Sequence, residues 1–335
     1  MIYGEKFLQQ FSMESLQTEI NNTDRLITEL YDFLYNDDIS LNESLDDYND
    51  EKFSNFTKFE KFMANIYDKI LHFLAKIVDI VSNIFKKILP KFYQFLQGIV
   101  ARIKNTQIKN AIDKEVDYKG EKTIEYYVLN SEFFTFYNEL NKGDYLTEID
   151  DYYEEFKKGL YNINGRNPDK EDVESFLNKL QPKATKLIDN IANQADEFNK
   201  HDENYYINEV KEKLVSYQDY SNAIFFLDQQ VEKDKKMHSC VGDMLRDLTF
   251  LQKRYSMHSE IHFNRIKNVL EVAPKQLMMD SIIRPADVSA VCKIYYGVVA
   301  IIQKALNSEI SVAKEIHKHY FQYIHFYDAK KVNIQ

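Results

Sequence analysis

The chain has 335 residues, with 8 Gly, 5 Pro, 24 Tyr, 23 Phe, 2 Cys, no Trp and a formal net charge of −10. So few turn formers exclude a sheet-rich sandwich or barrel and point to an all-α, elongated multi-helix bundle of long helices. Cys240 and Cys292 form no CxxC, which excludes a disulfide-framed secreted fold and leaves free thiols as the expectation.

Residues 1–60 hold fourteen Asp/Glu against four Lys/Arg, a net −10. They read as an acidic helix followed by a flexible linker. Met13, Leu16, Ile20, Ile27, Leu30 and Leu34 share one side of a helix over 5–35, with Thr23 as the polar interruption and Ser12 as the expected N-cap. The run NDDISLNESLDDYNDE (36–51) is acidic and poor in bulky apolar residues, which predicts a linker. Phe53, Phe56, Phe59 and Phe62 lead out of it.

Residues 61–119 reverse the sign, with eleven bases against five acids. Tyr67, Leu71, Leu74, Val78, Val81, Phe85, Ile88, Phe92, Phe95 and Ile99 follow one another at alternating steps of four and three, which places them on one side of a helix. A second row, Ile66, Ile70, Phe73, Ile77, Ile80 and Ile84, widens the stripe. Lys69, Lys76, Lys86, Lys87, Lys91 and Arg102 make the other face basic, with Asn83 among them. Pro90 is expected to kink or break this amphipathic helix. The lysines interrupt every apolar run well short of the ~18–20 residues of a membrane span. The apolar side therefore needs a cover: the chain's own body, a second copy, or a lipid surface.

Residues 120–335 read as a helical body, with the boundary near Gly120. The aromatic segment 121–141 precedes a helix stop at Gly143, and 144–161 forms a further acidic, aromatic helix. Asn167 and Pro168 serve as N-cap and first residue of a helix to about Asn199. Two long helices are expected between Asn204 and Val272, carrying Val210, Leu214, Ile224, Leu227, Met244 and Leu248 and turning at 232–239. Pro285 opens the last helix, which runs to about Tyr327.

No constellation of reactive groups stands out. His258 and His262 are four apart, but Glu260 lies on the far side of that helix, which excludes the zincin arrangement. His317, His319 and His325 cluster near the C-terminus, and a structural metal joining the two groups is the alternative to plain surface histidines. Acid pairs such as Asp46-Asp47, Asp150-Asp151 and Glu154-Glu155 fit solvated faces in a chain with 53 acids. The chain contains no phosphate-binding glycine loop and no GxSxG. Cys240 follows His238, but closeness in sequence makes no dyad. Bases concentrate only at 86–109, between apolar residues patterned for packing, so nucleic acid is not an expected partner. No enzyme activity, cofactor or resident metal is expected.

The opening MIYGEKFLQQFSMESLQTEI, the acidic low-complexity linker and the stretch IYDKILHFLAKIVDIVSNIFKKILPKFYQFL together resemble internal or structural virion proteins of large tailed bacteriophages, as far as about residue 104. The resemblance implies a non-enzymatic protein packaged in or on the particle, partnered by other protein subunits as a homo- or hetero-oligomer. It also implies an N-terminal segment that maturation can remove. The expected location is the virion for a phage protein and the cytoplasm otherwise, since MIYGEKFLQQF is not patterned as a secretory signal. The alternative is a membrane-active protein whose 61–104 segment binds or perturbs bilayers.

Overall fold

The computed structural model describes residues 2–35, 56–105, 122–142, 145–164, 169–215, 217–233, 239–250, 252–253 and 285–332. The acidic run 36–51, Gly120, Gly143, His258 and His262 lie outside them. The first helix, α1, spans Ile2–Tyr35. Ser12 sits inside it and is not its N-cap, because no proline stops the helix from propagating back to Ile2.

The second helix, α2, spans Phe56–Asn83 and passes through a π-helical turn, Ile84–Ile88, into α3, Leu89–Asn105. Pro90 therefore does not break the helix. It has no N–H, and its ring would press on the carbonyl four residues back. The wider π turn directly before it is where that misfit is absorbed. Leu89 N–H closes the turn by donating to Ile84 O.

Contacts along this rod give the helix directions. Glu29 meets Lys76, Thr23 meets Asn83, and Ser15 meets Lys91, so α1 runs antiparallel to α2 and α3. The last helix, α10, spans Pro285–Val332. Tyr31 meets Tyr296, Asp24 meets Asn307, and Gln17 meets Lys314, so α1 is antiparallel to α10 as well. At about 1.5 Å per residue, α10 reaches roughly 70 Å, and it packs on α1, α2 and α3.

Among the described residues two strands interrupt the helical pattern. β1 is Lys122–Leu129 and β2 is Ile207–Leu214, paired antiparallel from Lys122↔Leu214 to Leu129↔Ile207. Here the helices expected over 121–129 and around Val210 and Leu214 are corrected. In β1 the buried side chains are Ile124, Tyr126 and Val128, a period of two with β-branched and aromatic residues, which suits a half-buried strand. Asn130 then caps α4 (Ser131–Lys142) by accepting from Phe133 N–H at 3.1 Å.

Next come α5 (Tyr145–Asn164) and α6 (Lys170–Asn199), packed on each other. The N-cap of α6 is Asp169, which accepts from Glu171 N–H at 3.2 Å, in place of the expected Asn167. A carboxylate caps as well as an amide and also favours the positive helix end. A single turn, α7 (Glu203–Tyr206), feeds β2. α8 (Tyr217–Lys233) and α9 (239–250) complete the described body. One contiguous apolar core runs from Leu16 to Ile316 and joins the segments that charge divides in the sequence. α10 is central to it, packing also against β1, α6 and α8.

Candidate interaction surface

The stripe of α2 and α3 faces inward. Leu74, Val81, Ile88, Phe92 and Ile99 are buried, and Leu71, Val78, Phe85 and Phe95 are half-buried against the same core. The second row lies deeper, with Phe73, Ile77, Ile80 and Ile84 all nearly inaccessible. The cover is the chain itself: α1, α8 and α10 pack on the rod. Phe95 lies 5.4 Å from the His317 ring of α10. Tyr67 and Arg102 belong to α2 and α3, but their side chains lie outside the described ones.

The basic face meets α1. Lys76 pairs with Glu29 at 3.5 Å, and Lys87 and Lys91 both pair with Glu19 at 3.4 Å. Lys91 also donates to Ser15 Oγ at 2.7 Å. Lys69 is half-buried and Lys86 is exposed. Buried polar contacts complete the seam. Asn83 donates to the Thr23 hydroxyl and to Glu19 O, and Gln303 and Asn307 donate to Asp24 at 3.1 and 2.8 Å. α1 is thus an acidic and polar strap between two long helices.

His319 of the histidine cluster sits in an ion-paired packing site, while the side chain of His325 lies outside the described ones. Lys122 bridges Glu315 and contacts His319 Nε2 at 2.8 Å. Burial, reinforced by Lys122, holds the His319 imidazole below its ordinary value. Among the described residues no group of three or more His, Cys, Asp and Glu is placed to hold a metal. Cys240 is buried and in no disulfide, and its carbonyl accepts from Tyr137 O–H at 2.7 Å. Of the acid pairs, Glu154-Glu155 is engaged at the surface: Glu155 pairs with Lys183, and Glu154 with Lys157 at 3.6 Å, while Asp46-Asp47 lies outside the described residues. Among the described residues no helix is long and apolar enough to cross a membrane.

One open site lies at one end of the sheet. A cleft of about 1000 Å³ is lined by Tyr127, Asn130, Phe134, Asn204, Asn208 and Phe226, among others. Asn130 ties its walls together, donating to Tyr205 O at 2.7 Å. Beside it, Tyr205 is 43% exposed and stacks on His201 at 3.7 Å. Beneath, Phe136, Phe198 and Tyr206 pack ring on ring, and burial pushes the Tyr206 phenol up to about 12.

Sequence reasoning missed this corner because it read the flanking strands as helix. The usable signals were the two-residue alternation of Ile124, Tyr126 and Val128, and Asn130 placed before an aromatic helix. Comparisons of the chain with protein families, with curated proteins and with solved structures give no match.

Proposed function

We propose that this is a non-enzymatic structural or interaction protein that presents helical and aromatic surfaces to other protein subunits, as an internal component of a tailed-phage virion. The observation that carries the reading is the corner at the end of the sheet. There Tyr205, His201, Phe134 and three asparagines line or flank an open cleft on a tightly packed base. Tyrosine and asparagine suit protein recognition: the ring supplies area at low entropy cost, and the amide supplies adaptable hydrogen bonds. The phage assignment rests on the resemblance of the first 104 residues alone.

The test is mass spectrometry and cross-linking on particles from the native source. The chain is expected in purified particles, with cross-links to other subunits near Tyr205. Its absence from particles would overturn the virion assignment, and particles in which Tyr205→Ala leaves those cross-links unchanged would overturn the corner's role.

A second reading is favoured by the α1 strap. The rod pairs an apolar face with a basic one, and among the described residues Glu19 and Glu29 of α1 answer three of its lysines. Such a helix would bind anionic bilayers if α1 left it. Flotation of the full chain with anionic vesicles, with and without residues 1–60, tests this. Binding gained by the truncated chain supports it, and silence from both sinks it.

A further inference from the structure

β2 is paired on one side by β1, and the edge it turns away from β1 carries a self-complementary pattern. The aim of its backbone groups follows from the register. Tyr127 N–H donates to Ser308 Oγ at 2.8 Å, so it points away from β2. Tyr127 is paired with Glu209. Theirs is therefore a wide pair, in which neither residue's backbone bonds the other. Leu129–Ile207, Glu125–Lys211 and Thr123–Lys213 share that phase. Asn130 N–H donating to Tyr206 O at 3.2 Å fits the alternate phase. Ile207, Glu209 and Lys211 thus turn their N–H and C=O groups away from β1. Asn208, Glu209 and Lys211 are exposed.

We propose that this edge docks a second copy of the chain, β2 against β2, antiparallel, with the two-fold axis at Val210. In that register Glu209 faces the second copy's Lys211, and Lys211 faces its Glu209. Val210 faces Val210, and Asn208 faces Glu212. Two opposite-charge pairs flank an apolar pair, each a favourable cross-strand contact. Moving the axis by one residue sets Lys211 on Lys211 or Glu209 on Glu209. Lys211 already pairs with Glu125 across β1 and β2, so docking completes a line of Glu125, Lys211 and the second copy's Glu209.

Charged edge strands normally repel stray partners. Here the alternation of sign refuses a generic strand and accepts its own copy. The gain is structural too, since a two-stranded sheet is marginal by itself and four strands are not. The inference rests on the interaction-protein reading and names one partner.

The experiment is sedimentation of the full chain over a wide concentration range at low salt. A monomer–dimer equilibrium is expected. Lys211→Glu and Glu209→Lys each turn two attractive pairs repulsive, and each should weaken the dimer by about tenfold. The double variant Glu209→Lys/Lys211→Glu should restore it. Glu209→Pro removes one outward N–H while leaving the β1–β2 ladder its bonds, and should give a monomer with unchanged circular dichroism. A wild-type chain that stays monomeric would overturn the proposal. So would a dimer indifferent to both charge reversals, because it would use another face. Neither result touches the particle cross-linking above, which tests the interaction-protein reading separately.

Discussion

The Asn83 amide donates to the Thr23 hydroxyl across sixty positions, at the junction of α2 with the π turn. Thr23 is fully buried and also donates to Glu19 O at 2.9 Å. The pair fixes where α1 sits along the rod. Asn83→Ala strips the buried hydroxyl of its donor and should cost about 1–3 kcal/mol in urea unfolding. Thr23→Val with Asn83→Leu removes both polar partners and should recover most of that. A double-mutant cycle with no coupling would show that the contact does not set the register.

Glu19 answers two lysines with a side chain that is 18% exposed. Glu19→Gln should lower stability by about 1 kcal/mol, and by less in high salt. Glu19→Lys should cost more, since three cations then share one seam. Stability unchanged by either substitution would mean that apolar packing alone holds α1.

Gly297 of α10 lies against Phe198, and a Cβ there would run into the ring. That ring is half-buried and packs on Phe136 at 5.1 Å and Tyr206 at 5.5 Å, so moving it aside disturbs both contacts. Glycine to alanine inside a helix ordinarily stabilises by up to about 1 kcal/mol. Gly297→Ala should instead destabilise by about 1–3 kcal/mol through overpacking. Phe198→Leu in the same chain should relieve part of the loss. Thermal unfolding of the three variants checks the sign.

His319 sets a pH dependence. Its folded pKa is lowered, by burial first and Lys122 second. The unfolded chain therefore binds the proton more tightly, and stability rises with pH wherever the two states differ in protonation. The contribution is intact above the ordinary histidine value of about 6.5 and is lost as pH falls below it. Urea midpoints should drop between neutral and mildly acidic pH. His319→Asn should flatten that slope, while a slope unchanged by the substitution would assign it elsewhere.

The buried rows of α2 and α3 were legible from spacing, because a helix face that enters a core must repeat. The strands were not. β2 reads INEVKEKL, and its Val210 and Leu214 are four apart, so an exposed edge strand looks like an amphipathic helix. Only its neighbour β1 and the flanking α8 settle it. The turn before Pro90 was missed for a related reason: proline announces a misfit, but whether the helix bends or widens depends on what packs around it. The cover of the stripe comes from α1 and α10, whose contacts with it span tens to hundreds of positions, and local periodicity carries no such information. The opposite charges of residues 1–60 and 61–119 allow the two to pair, but they do not say that Glu19 and Glu29 are the partners of the basic face.

The position of α10 has a consequence for how the chain is made. It is the last described element in sequence, yet the rod, α1, β1, α6 and α8 all close on it. A ribosome adding about 5–20 residues per second needs about 10–35 s to pass from Asn105 to Pro285. For that interval α1, α2 and α3 are outside the tunnel with one side of their shared apolar seam bare. Synthesis of this chain therefore holds open a window of self-association and chaperone capture, and it shuts only when the final helix emerges.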